Sequence, residues 1–167
     1  CKKVAAQMGV DVMTIGILPS LQETDLTIEN MSKMKRYLAL NEQVFAMRQG
    51  RPLQLDIVGK ERLTTTHYNV MLEASTTSFQ VHLQVNPDVA ARMYNASVIA
   101  SAFTVAVAAN SPFLFGKSLW EETRIPLFEQ AVEVGGYEDA VFGPTRRVGF
   151  GSGYVKASLM ECFEENY

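Results

Sequence analysis

The stretch STTSFQVHLQV (residues 75–85), continued by NPDVAARMYNASVIASAFTVAVAAN (86–110) and SPFLFGKSLWEETR (111–124), decides how this chain is read. Side chains alternate across a strand, so Phe79, Val81, Leu83 and Val85 share one face while Ser78, Gln80, His82 and Gln84 share the other. An apolar face backed by glutamine and histidine suits a sheet that lines a polar site. The helix that follows has a well-marked start. Asn86 is a capping residue, Pro87 fits the first turn, and Asp88 complements the helix dipole. It ends at Asn110-Ser111-Pro112, where proline cannot continue it. From Asn95 onward its residues are apolar or small on every side, which predicts a buried helix packed closely against a sheet.

Working outward, residues 12–18 form a short apolar strand stopped by Pro19. Residues 36–49 make an amphipathic helix with Tyr37, Leu40, Val44 and Met47 on one stripe and Gly50 as its stop. Residues 53–58 alternate Leu53, Leu55 and Ile57 with Gln54 and Asp56, as a strand does. Residues 68–72 read as strand or irregular structure. Residues 134–153 read as a glycine-rich loop, and 155–163 as a last strand or helix. The fold class expected is α+β, an antiparallel sheet packed against a long buried helix.

The chain has 167 residues, of which 47% are hydrophobic and 20% charged, enough for one sizeable core in a single domain spanning 1–167. A net charge of -3 with no basic run argues against nucleic acid. The apolar run at 96–109 is about 14 residues long, short of the roughly 20 that span a bilayer. No signal peptide opens the sequence, and Cys1 and Cys162 make neither a disulfide framework nor a metal ribbon. A reducing, cytoplasmic setting is expected; a homo-oligomer is left open, since the sequence does not give the oligomeric state.

The QVHL strand (80–83), the helix ending in ANSPF (109–113) and the following WEETR (120–124) together resemble the second glutamate–cysteine ligase family, over roughly residues 13–124. That resemblance implies a glutamine synthetase-like fold. It implies an ATP-dependent carboxylate–amine ligase of glutathione biosynthesis, using ATP and magnesium ions, with glutamate and cysteine or another amine as substrates. An alternative is a non-catalytic, ligase-like binding or scaffolding module within a larger protein. Both ends of the chain read as cut, so a fragment of a larger catalytic domain is expected, inactive when isolated.

Residue by residue, the family writes this strand with His or Gln at its first position and His or Asn at its third, beside the metal–nucleotide site. Gln80 would then bear on metal or phosphate, and His82 on nucleotide; a polar face that merely meets solvent is the competing reading. WEETR resembles the family's Trp-x-Ser-x-Arg, which makes Arg124 a catalytic candidate able to grip phosphate or carboxylate in bidentate fashion. Here Glu122 replaces the usual serine and the loop at 116–120 is shorter, so Glu122 could pair with Arg124 instead. In MKRYLALNE (34–42), Arg36 and Tyr37 resemble an Arg-Tyr pair near the amino-acid pocket, although Tyr37 also lies on the apolar stripe of its helix. The family's closely spaced glutamates that hold magnesium lie upstream, and no ExE occurs here. Glu73, before the QVHL strand, could contribute one carboxylate.

Three other features carry less. Arg146 and Arg147 precede GFGSG (149–153), which lacks the Lys-Ser or Lys-Thr of a P-loop and reads as a loop. His67 in TTTHY reads as an ordinary loop histidine. No base neighbours either cysteine.

Overall fold

The computed structural model describes residues 1–133, 149 and 151–164. In chain order the elements are α1 (Lys2–Gln7), α2 (Lys35–Met47), β1 (Leu53–Val58), β2 (Arg62–His67), α3 (Met71–Ala74), α4 (Pro87–Ala108), β3 (Phe113–Leu114), β4 (Lys117–Ser118), α5 (Arg124–Ala131) and α6 (Glu161–Glu164). Two 3-10 turns, Glu23–Asp25 and Ile28–Asn30, precede α2.

The core is built on the β1–β2 hairpin, antiparallel from Leu53 opposite His67 to Val58 opposite Arg62. β1 alternates as its sequence predicts, with Leu53, Leu55 and Ile57 buried and the residues between them exposed. β2 turns Leu63 and His67 to the same side, with Thr65 half-buried between them. Helix α5 lays Leu127 and Ala131 on that face, joined by Leu72, Leu114, Leu119 and Ile17. Each fully buried leucine or isoleucine contributes about 1.5–3 kcal/mol relative to exposure. The side-chain amide of Gln130 on α5 pairs with the backbone of Asp56, accepting from its N–H at 2.8 Å and donating to its C=O at 3.0 Å.

A second, shorter hairpin joins β3 to β4 through Phe115 (φ 49°) and Gly116 (φ 75°). Both central residues have positive φ, the turn geometry whose twist matches two paired strands and which favours glycine at its second position. The two hairpins are tied together: Glu61 N–H donates to Ser118 C=O at 2.8 Å, and Trp120 Nε1 donates to Val58 C=O at 2.8 Å.

Helix α4 starts where the sequence places it. Asn86 caps it, its side-chain oxygen accepting from Asp88 N–H at 3.0 Å, and Pro87 occupies the first turn. Its environment is different from expectation. Only Ala90 is buried, while Ile99, Phe103 and Val107 are 53%, 71% and 87% exposed. Ala91, Tyr94, Asn95, Val98 and Ser101 form a half-buried stripe. The expectation of a sheet packed on a long buried helix is thus corrected: α5 covers the hairpin, and α4 stands largely to one side. A small-residue helix buries itself only where a matching surface meets it, and among the described residues only that one stripe is met.

One smaller expectation changes and two open ones resolve. Residues 12–18 form no strand beyond a single bridge between Ile17 and Thr76. Residues 68–72 are a turn leading into α3, and 155–163 contain no strand but lead into α6. Most of the loop expected at 134–153, with Arg146 and Arg147, lies outside the described residues. Among the described residues no helix is long and apolar enough to cross a membrane.

Candidate functional site

Residues 77–86 connect α3 to α4 and carry Gln80 and His82. The segment leaves the core at Thr76, bridged to Ile17, and at Thr77, whose N–H donates to Gly16 C=O at 2.8 Å. Beyond Thr77 it is not a strand: among the described residues no neighbour pairs with its backbone ladder. Phe79, Val81 and Leu83 are 92%, 72% and 63% exposed, and Gln80 and His82 between them are exposed as well. The expected strand is therefore corrected to an open segment. Alternation fixes which side chains share a face, but a strand exists only with a partner. Among the described residues neither Gln80 nor His82 has a hydrogen-bond partner.

Arg124 sits where this segment begins, at the first residue of α5. Its guanidinium forms a two-point pair with Glu122, Nε to Oε1 at 2.6 Å and one terminal nitrogen to Oε2 at 2.7 Å. The same nitrogen reaches Asn110 Oδ1 at 3.2 Å, and the other terminal nitrogen donates to Thr77 C=O at 2.5 Å. Ser111, wholly buried, donates its hydroxyl to Glu122 and accepts from Arg124 N–H at 3.2 Å. A Cβ on Gly16 would lie 2.5 Å from Arg124 Nε, so the guanidinium lies against a backbone that only glycine leaves open. The pairing of Glu122 with Arg124, one of the two alternatives in the sequence, is the one found. It is partly buried, with Glu122 9% and Arg124 26% exposed.

Burial pushes the Glu122 carboxyl up, but hydrogen bonds from Arg124 and Ser111 and the guanidinium charge outweigh it, and its pKa lies below the ordinary glutamate value. Glu122 in turn raises the Arg124 pKa.

Arg36 and Tyr37, in the first turn of α2, contact each other. A guanidinium nitrogen donates to the Tyr37 hydroxyl at 3.0 Å, and the guanidinium carbon lies 4.8 Å from the ring centroid. Tyr37 is half-buried and Arg36 exposed. Among the described residues no hydrogen bond or ion pair joins this pair to Gln80, His82 or Arg124.

His67 is a site the sequence understates. It ends β2, is 6% exposed, stacks on Phe115 with ring centroids 6.1 Å apart, and places Nε2 3.4 Å from Glu23 Oε1. Thr65 joins the group, its hydroxyl donating to Glu23 and lying 3.3 Å from His67 Nε2. Burial lowers the imidazole pKa, and the Glu23 carboxylate opposes that only in part. The alternation of Leu63, Thr65 and His67 was the available signal.

Among the described residues no three His, Cys, Asp or Glu side chains assemble as metal ligands. These residues therefore do not fit a magnesium site by themselves.

Comparison with known families gives the order of these parts a context. The family model for glutamate–cysteine ligase family 2 matches residues 1–145, most of the chain. The chain belongs to that family. No curated protein and no solved structure matches the chain significantly. Family membership gives this member of glutamate–cysteine ligase family 2 a ligase-like role with small-molecule substrates. Its described structure is mixed helix and antiparallel strand.

Proposed function

We propose that this chain is part of an ATP-dependent carboxylate–amine ligase. The reaction activates a carboxylate, the glutamate side chain, as an acyl phosphate, which the amine of cysteine or a similar acceptor then attacks. The observation that carries the reading is the open segment at 77–86. It is held at Thr77 by Arg124 and Gly16 and at Asn86 by the α4 cap, and between these anchors Gln80 and His82 are both exposed. Two polar side chains offered from a segment anchored at both ends suit the binding of a polyphosphate, where positioning supplies most of the rate.

In this reading Gln80 bears on phosphate or magnesium and His82 on nucleotide, while Arg36, steadied by Tyr37, meets the amino-acid carboxylate. Arg124 belongs to the site through the segment it anchors. A direct grip on phosphate would require it to leave Glu122. The cytoplasm is the compartment this chemistry fits.

The test is ADP release by the full natural chain with magnesium-ATP, glutamate and a panel of amines. Amine-dependent release is expected to fall on the order of a hundredfold in His82→Ala and in Gln80→Ala, the scale of one lost transition-state contact. Release that ignores every amine would remove the reading.

The pairing of Glu122 with Arg124 specifically favours a second reading, a ligase-like module that binds without catalysis. An arginine already neutralised by a carboxylate is a poor phosphate ligand. Nucleotide binding with no turnover by the full natural chain would select it.

A further inference from the structure

Thr77 and Asn110 bound one continuous limb of the chain, comprising the open segment and α4. Within residues 78–109 only Ala90 is buried, so the limb has little packing of its own to hold it. Its base is a different matter. The Arg124 guanidinium donates to Thr77 C=O where the limb departs and to Asn110 Oδ1 where it returns. Around that point Thr77 N–H donates to Gly16 C=O, Gly16 N–H donates to Asn110 C=O at 3.3 Å, and Thr123 N–H donates to Ser111 C=O at 3.0 Å. Four separate stretches of chain therefore meet on one side chain, with Glu122 and Ser111 fixing its orientation. A further tether lies midway along α4, where the Asn95 side chain exchanges two hydrogen bonds with the Val155 backbone, at 2.8 and 3.0 Å.

We propose that Arg124, oriented by Glu122, is a positioning residue that clamps both ends of the 78–109 limb and thereby sets where Gln80 and His82 stand. Its guanidinium works on protein groups. A side chain at position 16 would have to displace the Arg124 guanidinium and the Asn110 amide, because the clamp closes against that backbone. For the importance of Gln80 and His82 the proposal rests on the ligase reading above; for the clamp itself it does not.

The test uses hydrogen–deuterium exchange on the full natural chain, comparing wild type with Arg124→Lys, Glu122→Gln and the double variant. A lysine keeps the charge but cannot span Glu122, Thr77 and Asn110 together. Amides of α4 should exchange about tenfold faster or more in each single variant, with the β1–β2 hairpin unchanged. The double variant should be no worse than the poorer single one, because both break the same junction. The clamp is refuted if α4 exchange stays within about twofold of wild type, or if the hairpin speeds up equally, which is a general loss of stability.

A kinetic arm separates positioning from phosphate contact. Under the clamp, Arg124→Lys and Glu122→Gln both lower kcat and leave the nucleotide KM within about threefold. A guanidinium that touches phosphate gives opposite signs: a raised nucleotide KM in Arg124→Lys and a lowered one in Glu122→Gln, and that pattern overturns the clamp. An inactive wild type would sink the ligase reading, while the exchange result, measured without substrate, would still decide the clamp.

Discussion

Leu55 and Phe103 are both large apolar side chains in regular secondary structure, yet Leu55 is wholly buried and Phe103 is 71% exposed. The first belongs to the hairpin core, the second to the limb at 78–109. In the core every apolar period finds its complement. Leu53, Leu55 and Ile57 on β1 meet Leu127 and Ala131 on α5 and Leu114 and Leu119 from the second hairpin. In the limb the periods are as regular, but Phe79, Val81 and Leu83 meet nothing among the described residues that buries them. Hydrophobic patterning specifies which face seeks cover, and packing alone specifies what supplies it.

The largest expected effect tests the core half of this contrast. Leu55→Ala leaves a cavity under α5 and should cost about 3 kcal/mol in urea unfolding. A loss below about 1 kcal/mol would mean the hairpin is as loosely held as the limb. Next comes the junction between them. Arg124→Ala strips Glu122 of its two-point partner at a partly buried site and should cost about 2 kcal/mol, the scale of charge-assisted hydrogen bonds.

Asn86→Ala removes the α4 cap and should cost about 1 kcal/mol. If the limb opens on its own, that loss appears as faster exchange in α4 while hairpin amides keep their wild-type rates. Equal acceleration in both would make the two regions one cooperative unit.

The pH response of the core has a definite sign. Burial holds the His67 pKa below its unfolded value, so the unfolded chain binds the proton first as pH falls. His67 therefore contributes full stability above the unfolded value, about 6.5, and that contribution is lost as pH drops from there through the folded pKa. Unfolding curves from pH 8 to 5 should show this slope in wild type and lack it in His67→Phe. The smallest effect belongs to the limb: Phe103→Ser should change stability by no more than about 0.5 kcal/mol. A loss of 2 kcal/mol or more would show that Phe103 is covered in solution and would break the comparison.

What was legible in the sequence follows the same division. The α4 start was readable from Asn86, Pro87 and Asp88 because capping is a local interaction. β1 and α2 were readable from their periods. β2 was not, since RLTTTH offers one aliphatic residue and becomes a strand only by pairing with β1. The alternation at 78–85 was legible, but not whether a neighbour would pair with that segment. The Glu122–Arg124 pair was visible as one of two alternatives because its partners are two residues apart. Thr77, Asn110 and Gly16 were not visible, because a backbone carbonyl, a side-chain amide and a close backbone approach join Arg124 only once the chain has folded. Family membership over 1–145 supplied what local patterning lacks, a ligase-like role for the chain.

The Gln130 amide bears on a separate hazard. Among the described residues β1 pairs with a strand on one side only, so its other edge presents backbone groups that an extended chain could pair with. A glutamine side chain carries one donor and one acceptor like a peptide unit, and Gln130 uses both on Asp56, acting as a neighbouring strand one residue long. A carboxylate at that position could accept but not donate, and would set a second negative charge beside Asp56. Loss of one amide nitrogen to hydrolysis, which changes almost nothing in shape, would therefore unplug the sheet edge and expose it to self-association.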